Sequence, residues 1–358
     1  MSPKESVRSN KVNNIKGRLL HLSGEQGLLF KNLTLYCVNL ENGGTSIISR
    51  LPVSGFKGFW GRFRLFNRLL RLEPRCAGKL AEHRYVICLL GKLWLVESRE
   101  GRLTELYNLR SGYSLLSFCE KQGSLYWGDY GPNPNHNEIN IYRLNSKLDI
   151  EIVYTFHSKS IRHIHNIIND GNDFIVMTGD NEPQAGIYRA NADWTDVKPW
   201  KNGEQKYRAV VGFPFKGGFL YATDSVETEN HLVFINSEGK EMDLSLINGS
   251  CIYGTETKGF FLFSTTVESH EGSGPRKLLS NKLGGGIKSK DVHILAVDKE
   301  DLSIRVIMKY KKDFWPMKLF QYGRAPFAGG QEESTLGVWC YPVACVGTKG
   351  RSQWITLK

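Results

Sequence analysis

The sequence lacks long hydrophobic runs, paired cysteine motifs and sustained helical periodicity, and each of these absences excludes a class of protein. Its 358 residues contain no apolar run of about 18, the length that a membrane-spanning helix needs. The N-terminal segment MSPKESVRSNKVNN has no hydrophobic stretch, so it does not resemble a secretory signal. Seven cysteines without CxxC spacing indicate free, buried thiols in a reducing compartment. We therefore expect a cytoplasmic protein that is either free or attached peripherally to a membrane.

Net charge is the second feature, and it narrows the classes of partner that the protein could bind. The chain carries 47 lysines and arginines against 36 aspartates and glutamates, a net charge of +11. Such a balance favours anionic partners, among them acidic glycans and lipid headgroups, although charge of this size also keeps proteins soluble. No nucleic-acid-binding motif accompanies it, so we expect no nucleic-acid partner. A hydrophobic fraction of 41% and a charged fraction of 23% are those of a globular chain with a sizeable core.

A repeated pair of β-rich segments decides the fold class. Each unit has an apolar run, a polar loop and a second apolar run, as in FIVMTGD followed by GIYRA. Successive units begin at Leu125, Phe174, Phe219 and Phe260, which gives spacings of 49, 45 and 41 residues. A period of about 40 to 50 residues with several strands per unit is typical of a β-propeller. The sequence therefore predicts an all-β propeller.

The number of blades follows from counting the units. Weaker units are visible at residues 27–40 and 86–98, and a last one is TLGVWCYPVACV followed by SQWITL. Counting every unit gives seven blades, and merging the first with the last gives six; we expect seven. The segment GRLLHLS (residues 17–23) would supply the outer strand of the final blade. The N- and C-terminal strands would then close the ring and remove its exposed sheet edges.

We expect one domain over residues 1–358, because no linker-like segment divides the repeats. Residues 1–15 are expected to be disordered. The Gly-, Ser- and Lys-rich segment 267–290 is expected to be a long loop inserted between two strands of one blade.

A basic and aromatic segment at residues 57–79 interrupts the repeats. It contains seven lysines and arginines against a single acid, Glu73, with phenylalanines, a tryptophan and leucines interleaved. This pattern suits attachment to an anionic membrane surface or to a membrane-bound synthase. The alternative is a cover whose apolar side packs on the propeller.

The order of strands in a propeller would place two sets of polar residues on one rim. The connection that enters an innermost strand and the loop between the second and third strands emerge on the same side of each blade. The connections carry Arg162, His163 and His165, then Gln205, Tyr207 and Arg208. The loops carry Asp129, Tyr130, Asp180, Asp224 and Glu229. We expect these side chains to surround one pocket.

The residue types suggest roles in carbohydrate chemistry. The candidate catalytic residues, whose imidazoles and carboxylates can transfer protons, are His163, His165, Asp180 and Asp224. The candidate substrate-binding residues, which offer charged, polar or aromatic contacts, are Arg162, Gln205, Tyr207, Arg208, Asp129, Tyr130 and Glu229.

Two of these pairs allow more than one interpretation. His163 and His165 are two residues apart on a strand, so both rings would point to the same side. They would share a divalent metal or flank one substrate group; we expect no resident cofactor, with the metal as the alternative. Asp180 and Asp224 end successive strands in TGD and ATD, so they would equally well cap turns.

The segments RHIHNIINDGNDFIVMTGDNE and GEQKYRAVVGFPFKGGFLYATDSVETEN resemble a poorly characterised group of sialidase-like (BNR-repeat) propellers. The similarity is clearest from Leu125 to Ile235. It implies a glycosyl-hydrolase-like protein associated with surface-polysaccharide synthesis. The Asp-box of sialidases has only a degenerate relative here, NLENGGTS, and their Phe-Arg-Ile-Pro motif is absent. The resemblance therefore implies a carbohydrate ligand without carrying over the sialidase reaction.

Three functions compete at this point. We expect an enzyme that acts on an acidic polysaccharide or oligosaccharide, as a glycoside hydrolase first and a lyase second. In a hydrolase, Asp180 or Asp224 would protonate the leaving oxygen while the other activates water. In a lyase, His163 or His165 would be the base and Arg208 would neutralise a uronate carboxylate. The alternatives are a non-catalytic glycan-binding or polysaccharide-assembly protein and a protein-interaction propeller.

Overall fold

The computed structural model describes residues 12–270 and 278–357, which form seven antiparallel β-sheets. Six of the sheets have four strands each, paired in chain order, and the seventh has three. Successive sheets contact each other through their first strands, so the sheets follow one another round a ring as the blades of a propeller. The prediction of an all-β, seven-bladed propeller is confirmed, and the six-bladed alternative is wrong.

Blades 1 to 4 each consist of four consecutive strands. Blade 1 contains β2 (Arg18–Ser23), β3 (Gln26–Lys31), β4 (Thr34–Asn39) and β5 (Thr45–Arg50). Blade 2 contains β6 (Ala77–Ala81), β7 (Arg84–Leu89), β8 (Lys92–Glu97) and β9 (Arg102–Asn108). Blade 3 contains β10 (Cys119–Lys121), β11 (Ser124–Gly128), β12 (Ile139–Leu144) and β13 (Ile150–Phe156). Blade 4 contains β14 (Ile164–Asp170), β15 (Asp173–Thr178), β16 (Gly186–Ala190) and β17 (Val197–Asn202).

Blades 5 and 6 repeat this arrangement, and blade 7 combines both ends of the chain. Blade 5 contains β18 (Ala209–Phe215), β19 (Gly218–Thr223), β20 (Asn230–Ile235) and β21 (Glu241–Ile247). Blade 6 contains β22 (Cys251–Glu256), β23 (Phe260–Thr265), β24 (Asp291–Asp298) and β25 (Ile304–Lys311). Blade 7 contains β26 (Gly337–Cys340), β27 (Arg351–Thr356) and β1 (Asn14–Lys16).

The first strand of the chain closes the ring. β1 pairs antiparallel with β27, so the last blade takes its outer strand from the N-terminal region. The predicted closure is confirmed, but the segment expected to supply it is wrong, because Arg18–Ser23 is the innermost strand of blade 1. The two strands separate at Gly17, where φ is +119° and a Cβ would lie 2.7 Å from the carbonyl oxygen of Phe30. Only glycine fits such a turn.

The same strand corrects the prediction for residues 1–15. Asn14 and Ile15 belong to β1, and Ile15 is buried against the last blade, so the expected disorder does not extend to these residues. Residues 1–11 lie outside the described residues.

Burial decreases from the inner strands of a blade to its outermost strand. On β15, Phe174, Ile175, Val176 and Met177 are all buried, because neighbouring blades cover both faces of the sheet. On β13, the outermost strand of blade 3, Ile152 is 55% exposed. The short, continuous apolar runs in the sequence are therefore the second strands of the blades.

One rim of the ring carries the helices and the longest loop. α1 (Gly55–Trp60) and α2 (Arg64–Leu70) connect blade 1 to blade 2, and α3 (Met317–Phe320) lies between blades 6 and 7. Segment 267–290 lies within the connection from β23 to β24 in blade 6; its residues 271–277 lie outside the described residues. All of these either enter an innermost strand or join a second strand to a third, so they share one rim.

No helix within residues 12–270 and 278–357 is long and apolar enough to cross a membrane. All seven cysteines have free thiols; five are buried, and Cys37 and Cys76 are partly exposed. Burial raises the pKa of Cys119 to about 12, so this thiol stays protonated at neutral pH.

The closing strand should contribute measurably to stability. We expect Ile15→Ala to lower the free energy of unfolding by about 2–4 kcal/mol, because it removes a buried side chain from the seam of the ring. The matched control is Ile152→Ala on the exposed face of β13, for which we expect less than about 0.5 kcal/mol. Urea unfolding followed by circular dichroism measures both, and equal effects would contradict the assigned closure.

Candidate functional site

A partly buried aspartate that follows β15 is the centre of the site. His165 Nε2 lies 3.2 Å from Asp180 Oδ1, and His163 Nε2 lies 3.4 Å from Oδ2. Two guanidinium groups approach the same carboxylate, that of Arg162 at 3.5 Å and that of Arg208 at 3.4 Å. Side chains from two successive blades therefore converge on one carboxylate. We call His163, His165 and Asp180 the histidine–aspartate cluster.

Local backbone geometry explains why the two imidazoles lie together. His163 immediately precedes β14, and Ile164 between the two histidines points into the core. The register of β14 against β15 shifts between Ile164 and Asn166, and this bulge changes the direction of His165. After β15 the chain turns at Gly179, where φ is +146° and a Cβ would crowd the next strand. That turn brings the following aspartate to the two rings.

Both histidines are fixed to the backbone through Nδ1. His163 Nδ1 lies 3.0 Å from the carbonyl oxygen of Gly131, and His165 Nδ1 lies 2.9 Å from that of Ala209. Since a carbonyl oxygen only accepts hydrogen bonds, each Nδ1 carries a hydrogen and donates it. In its neutral form each ring then presents a lone pair on Nε2, and the two Nε2 atoms are 3.1 Å apart.

Burial and pairing set the charges of the cluster. Burial alone would raise the pKa of Asp180, but the contacts with His163 and His165 outweigh it and hold that pKa well below its usual range. Burial lowers the pKa of His165, and the contact with Asp180 opposes only part of this effect. At neutral pH Asp180 is therefore an ionised carboxylate and His165 a neutral imidazole.

A cavity of about 430 Å³ opens beside the cluster at the centre of the ring. Blades 3, 4 and 5 contribute Tyr130, His165, Arg208 and Asp224. The remaining charged and tyrosine side chains of its wall come from the other blades and their connections: Arg71, Glu73, Arg75, Tyr253, Glu268, Tyr322 and Arg324. Several hundred cubic ångströms with convergent polar groups are the dimensions of a small-molecule site. A second cavity, of about 580 Å³, lies further along the same channel between the innermost strands.

Two further predicted residues, Tyr130 and Asp224, join this cavity. The ring of Tyr130 lies 4.6 Å from the ring of His163, and the Arg75 guanidinium lies 4.9 Å from the Tyr130 ring. Asp224 Oδ2 is 3.7 Å from Arg208 Nε, so this arginine lies between two aspartates. The structure therefore brings together most of the residues selected from the sequence.

Three predicted residues do not present their side chains to the cavity in this way. Gln205 Nε2 donates to the backbone carbonyl of Asp180 at 2.7 Å and so supports the cluster from behind. Asp129 is buried in blade 3, where its Oδ2 accepts from the backbone amide of Asn140 at 3.1 Å. Glu229 is exposed at the outer part of its loop.

Tyr207 also lies outside the cavity. A 3₁₀ turn (Gln205–Tyr207) precedes β18 and directs its ring between blades 4 and 5, where the hydroxyl donates to Glu241 Oε1 at 2.7 Å. Lys201 and Lys206 pair with the same carboxylate at 2.8 and 2.9 Å. The tyrosine thus belongs to a structural polar cluster.

The residues predicted from the sequence do not include three arginines of the cavity, Arg71, Arg75 and Arg324. Arg71 and Arg75 belong to the basic segment 57–79, and Arg324 lies in the connection into blade 7. A signal exists for Arg324, because Arg208 and Arg324 each stand directly before an alanine in YRA and GRA, where the chain enters an innermost position. Arg75 lies one residue further from the alanine, in RCA. A comparison of the repeats at those triplets would have found Arg324.

Comparison with known proteins shows the fold alone. No family model and no curated protein matches the chain. A chain in the crystal structure of the mitotic checkpoint complex matches with a TM-score of 0.55 at 7% identity, covering 100% of this chain and 98% of that one. The AfRom2 CNH domain matches with a TM-score of 0.53 at 8% identity (98% and 97%). The WD40 β-propeller domain of Doa1 matches with a TM-score of 0.53 at 8% identity (98% and 94%).

The Tyr207 cluster predicts a pH-dependent contribution to stability. Burial would raise the pKa of Glu241, but its hydrogen bonds with the two lysines and Tyr207 lower it to about 2. The pKa of a glutamate in an unfolded chain is about 4.3, so the Glu241 carboxylate stabilises the fold above that pH. This stabilisation is lost as the pH falls toward the folded-state value.

We expect Glu241→Gln to lower the free energy of unfolding by about 1–2 kcal/mol at neutral pH. The difference from wild type should narrow as the pH falls below about 4.3. Urea unfolding at neutral pH and near pH 3 measures it, with Glu151→Gln on the outer surface of blade 3 as the control. A difference that is equal at both pH values would contradict the assignment.

Proposed function

We propose that the cavity of about 430 Å³ beside the histidine–aspartate cluster binds an acidic oligosaccharide or a stretch of acidic polysaccharide. We also propose that the cluster supplies the reactive groups. The observation that carries this proposal is the combination of Arg75, Arg208 and Arg324 with tyrosine rings in one cavity of about 430 Å³. Arginines bind carboxylates through paired N–H donors, and tyrosine rings stack on the apolar faces of sugars.

Contacts within the cavity wall hold these arginines in place before a ligand arrives. Arg324 donates to the Tyr253 hydroxyl and to Gln321 Oε1, each at 2.8 Å. The Arg75 guanidinium lies over the ring of Tyr130. The wall carries four arginines against three carboxylates, so positive charge is in excess. Groups ordered in advance lose little conformational entropy on binding, which favours affinity.

The charge state of Asp180 is compatible with β-elimination and limits the role that this residue could have in hydrolysis. A glycoside hydrolase needs one protonated carboxyl group to donate a proton to the leaving oxygen. Asp180 is held ionised, so the acid of a hydrolase would be Asp224. In β-elimination from a uronate, a base removes the proton beside the carboxylate, a C=C bond forms and the glycosidic C–O bond breaks. Arg208 would neutralise that carboxylate, and a base beside the cavity would take up the proton.

The resemblance to sialidase-like propellers supports a carbohydrate ligand. The two segments that carry it, residues 162–182 and 203–230, contain the whole cluster as well as Arg208 and Asp224. A non-catalytic glycan-binding or polysaccharide-assembly protein is the alternative. It would use the same cavity and would differ only in the absence of turnover.

Arg208 provides the test of ligand class. Arg208→Lys keeps the charge but loses the planar pair of donors, so the Kd for a uronate-containing oligosaccharide should rise at least about tenfold. Isothermal titration calorimetry with uronate-containing and matched neutral oligosaccharides measures this. Arg143→Lys, on the outer surface of blade 3, is the matched control and should bind as wild type does.

The products decide the reaction. Appearance of an unsaturated sugar, followed by its ultraviolet absorbance, supports the lyase proposal, whereas new reducing ends without unsaturation indicate hydrolysis. Binding without either product indicates the assembly alternative. Binding confined to neutral glycans, or no glycan binding, would refute the proposal of an acidic ligand.

A further inference from the structure

Three metal-ligating atoms meet at contact distance in the histidine–aspartate cluster. Both Nδ1 atoms donate to backbone carbonyls, so the two Nε2 atoms face each other as acceptors at 3.1 Å. The oxygens of Asp180 lie 3.2 and 3.4 Å from these nitrogens and are acceptors as well. Lone-pair-bearing atoms on three side chains repel one another at such distances unless a positive centre lies between them.

One proton does not satisfy this arrangement. A proton on either Nε2 points along a single N–H direction and therefore serves one acceptor well. The other two contacts stay between acceptors. A metal ion differs because it accepts lone pairs from all three directions at once.

The distances fit a metal ion of ordinary size. Ligands about 2.0–2.1 Å from a tetrahedral centre lie about 3.3 Å from one another. In the cluster the two Nε2 atoms are 3.1 Å apart, His165 Nε2 lies 3.2 Å from Asp180 Oδ1, and His163 Nε2 lies 3.4 Å from the other oxygen, Oδ2. One ligand atom from each residue lies within 4.8 Å of the other two. We propose that His163 Nε2, His165 Nε2 and one Asp180 oxygen bind a divalent first-row transition metal such as Zn²⁺ or Co²⁺.

The surroundings of the cluster match those of known metal sites. Each histidine donates its other ring hydrogen to a backbone carbonyl, an arrangement that fixes the tautomer of a ligating imidazole. Both rings are 3% exposed, so their orientation is set by packing. Three protein ligands leave a fourth position open, as in catalytic zinc sites.

Local charge indicates what would occupy the fourth position. Arg162 and Arg208 are balanced by Asp180 and Asp224, so a divalent cation adds two uncompensated positive charges beside the cavity. An anionic ligand would neutralise them. This step rests on the proposed function: the fourth ligand is the carboxylate of the acidic glycan, which the metal bridges to the protein.

Metal titration tests the proposal directly. Metal-free protein, with any affinity tag removed, should take up one equivalent of Zn²⁺ in calorimetry, and Co²⁺ should give the visible absorption bands of a protein-bound ion. His165→Gln and Asp180→Asn should each weaken Zn²⁺ binding at least about 100-fold. His157→Gln changes an exposed histidine that directly follows β13 of blade 3; this variant is the control and should bind as wild type does.

The outcomes separate the metal from the glycan. Failure of wild type to take up Zn²⁺, or unchanged affinity in both variants, overturns the metal site. If His165→Gln does not fold, as judged by circular dichroism, the Co²⁺ spectrum of Asp180→Asn carries the test. Zn²⁺ binding without glycan binding refutes the proposed function alone, whereas glycan binding that is unchanged by chelator refutes the bridging metal.

A second and independent observation concerns the helices α1 and α2, which bury polar side chains and expose aromatic ones. Asn67 and Arg68 are only 6% and 5% exposed. Phe56, Phe59 and Phe63 are 68%, 58% and 52% exposed. This is the reverse of a helix that covers a core, so packing on the propeller does not explain the three phenylalanines.

Contacts of the buried arginine join these helices to further exposed apolar residues. Arg68 Nη1 lies 2.6 Å from Asp313 Oδ2, and the adjacent Phe314 is 77% exposed. Asn281 Nδ2 donates to the carbonyl oxygen of Phe314 at 2.9 Å, and nearby Leu279 is 65% exposed. The exposed apolar residues therefore come from three neighbouring connections on the rim that carries the cavity.

Basic residues surround this apolar surface. Lys57, Arg62, Arg64 and Arg71 are exposed, and Arg71 also lines the cavity. We infer that this rim docks onto an anionic lipid bilayer: the phenylalanines enter the interface and the basic side chains contact the headgroups. The mouth of the cavity then faces the membrane surface.

Liposome flotation tests the docking surface. The full chain should float with vesicles of phosphatidylcholine and phosphatidylglycerol, less so with phosphatidylcholine alone, and binding should weaken as salt rises. The triple variant Phe56→Ser/Phe59→Ser/Phe63→Ser should lose flotation. The control Ile152→Ser/Leu246→Ser/Val306→Ser removes exposed apolar residues from outer strands and should float as wild type does. No flotation by wild type, which would favour a membrane-bound protein partner, or equal loss in the control would overturn the inference.

Discussion

The contacts of the Asp180 carboxylate hold the rim of blades 4 and 5 in the arrangement that the site requires. A carboxylate that is largely removed from water is costly unless cations or donors compensate it, and Arg162 and Arg208 provide this compensation. In return the carboxylate fixes both guanidinium groups, which would otherwise repel each other. The same oxygens contact the two imidazoles. The positions of these two arginines and two histidines therefore depend on one side chain.

The histidines extend this dependence across three blades. His163 immediately precedes the first strand of blade 4 and His165 lies on it, yet His163 donates to a carbonyl in blade 3 and His165 to a carbonyl in blade 5. Neither ring can turn without breaking a contact with a neighbouring blade. A rigid pair of imidazoles suits the binding of a metal ion, because the protein pays little to order the ligands when the ion arrives. The site is thus held together by contacts between neighbouring blades rather than by a single loop.

The cavity and the apolar surface around α1 and α2 share one rim and one sign of charge. Arg71 contributes to both, since it follows α2 and lines the cavity wall. The two proposals are chemically compatible, because acidic glycans and anionic headgroups are both attracted to the same positive potential. An acidic glycan carried on a lipid is the ligand that would use the cavity and the surface together.

The sequence by itself determined the ring and the rim. Strand pairs at spacings of 41 to 49 residues allow only a repeated sheet unit, and the strand order then places His163, Asp180 and Arg208 on one side. Tertiary structure decided what local patterns do not encode. The 3₁₀ turn directs Tyr207 away from the cavity, and Gly17 separates the closing strand from blade 1.

The helices α1 and α2, which bury polar side chains and expose aromatic ones, show most clearly what the sequence alone does not determine. Their sequence is amphipathic, but the choice of the buried face depends on the ion pair between Arg68 and Asp313, which lie 245 residues apart in the chain. Likewise, Arg75 enters the cavity only because the ring brings blade 2 opposite blade 5. Strand periodicity follows from backbone geometry and is visible locally, whereas the direction of a side chain in a connection depends on partners that only the closed ring supplies.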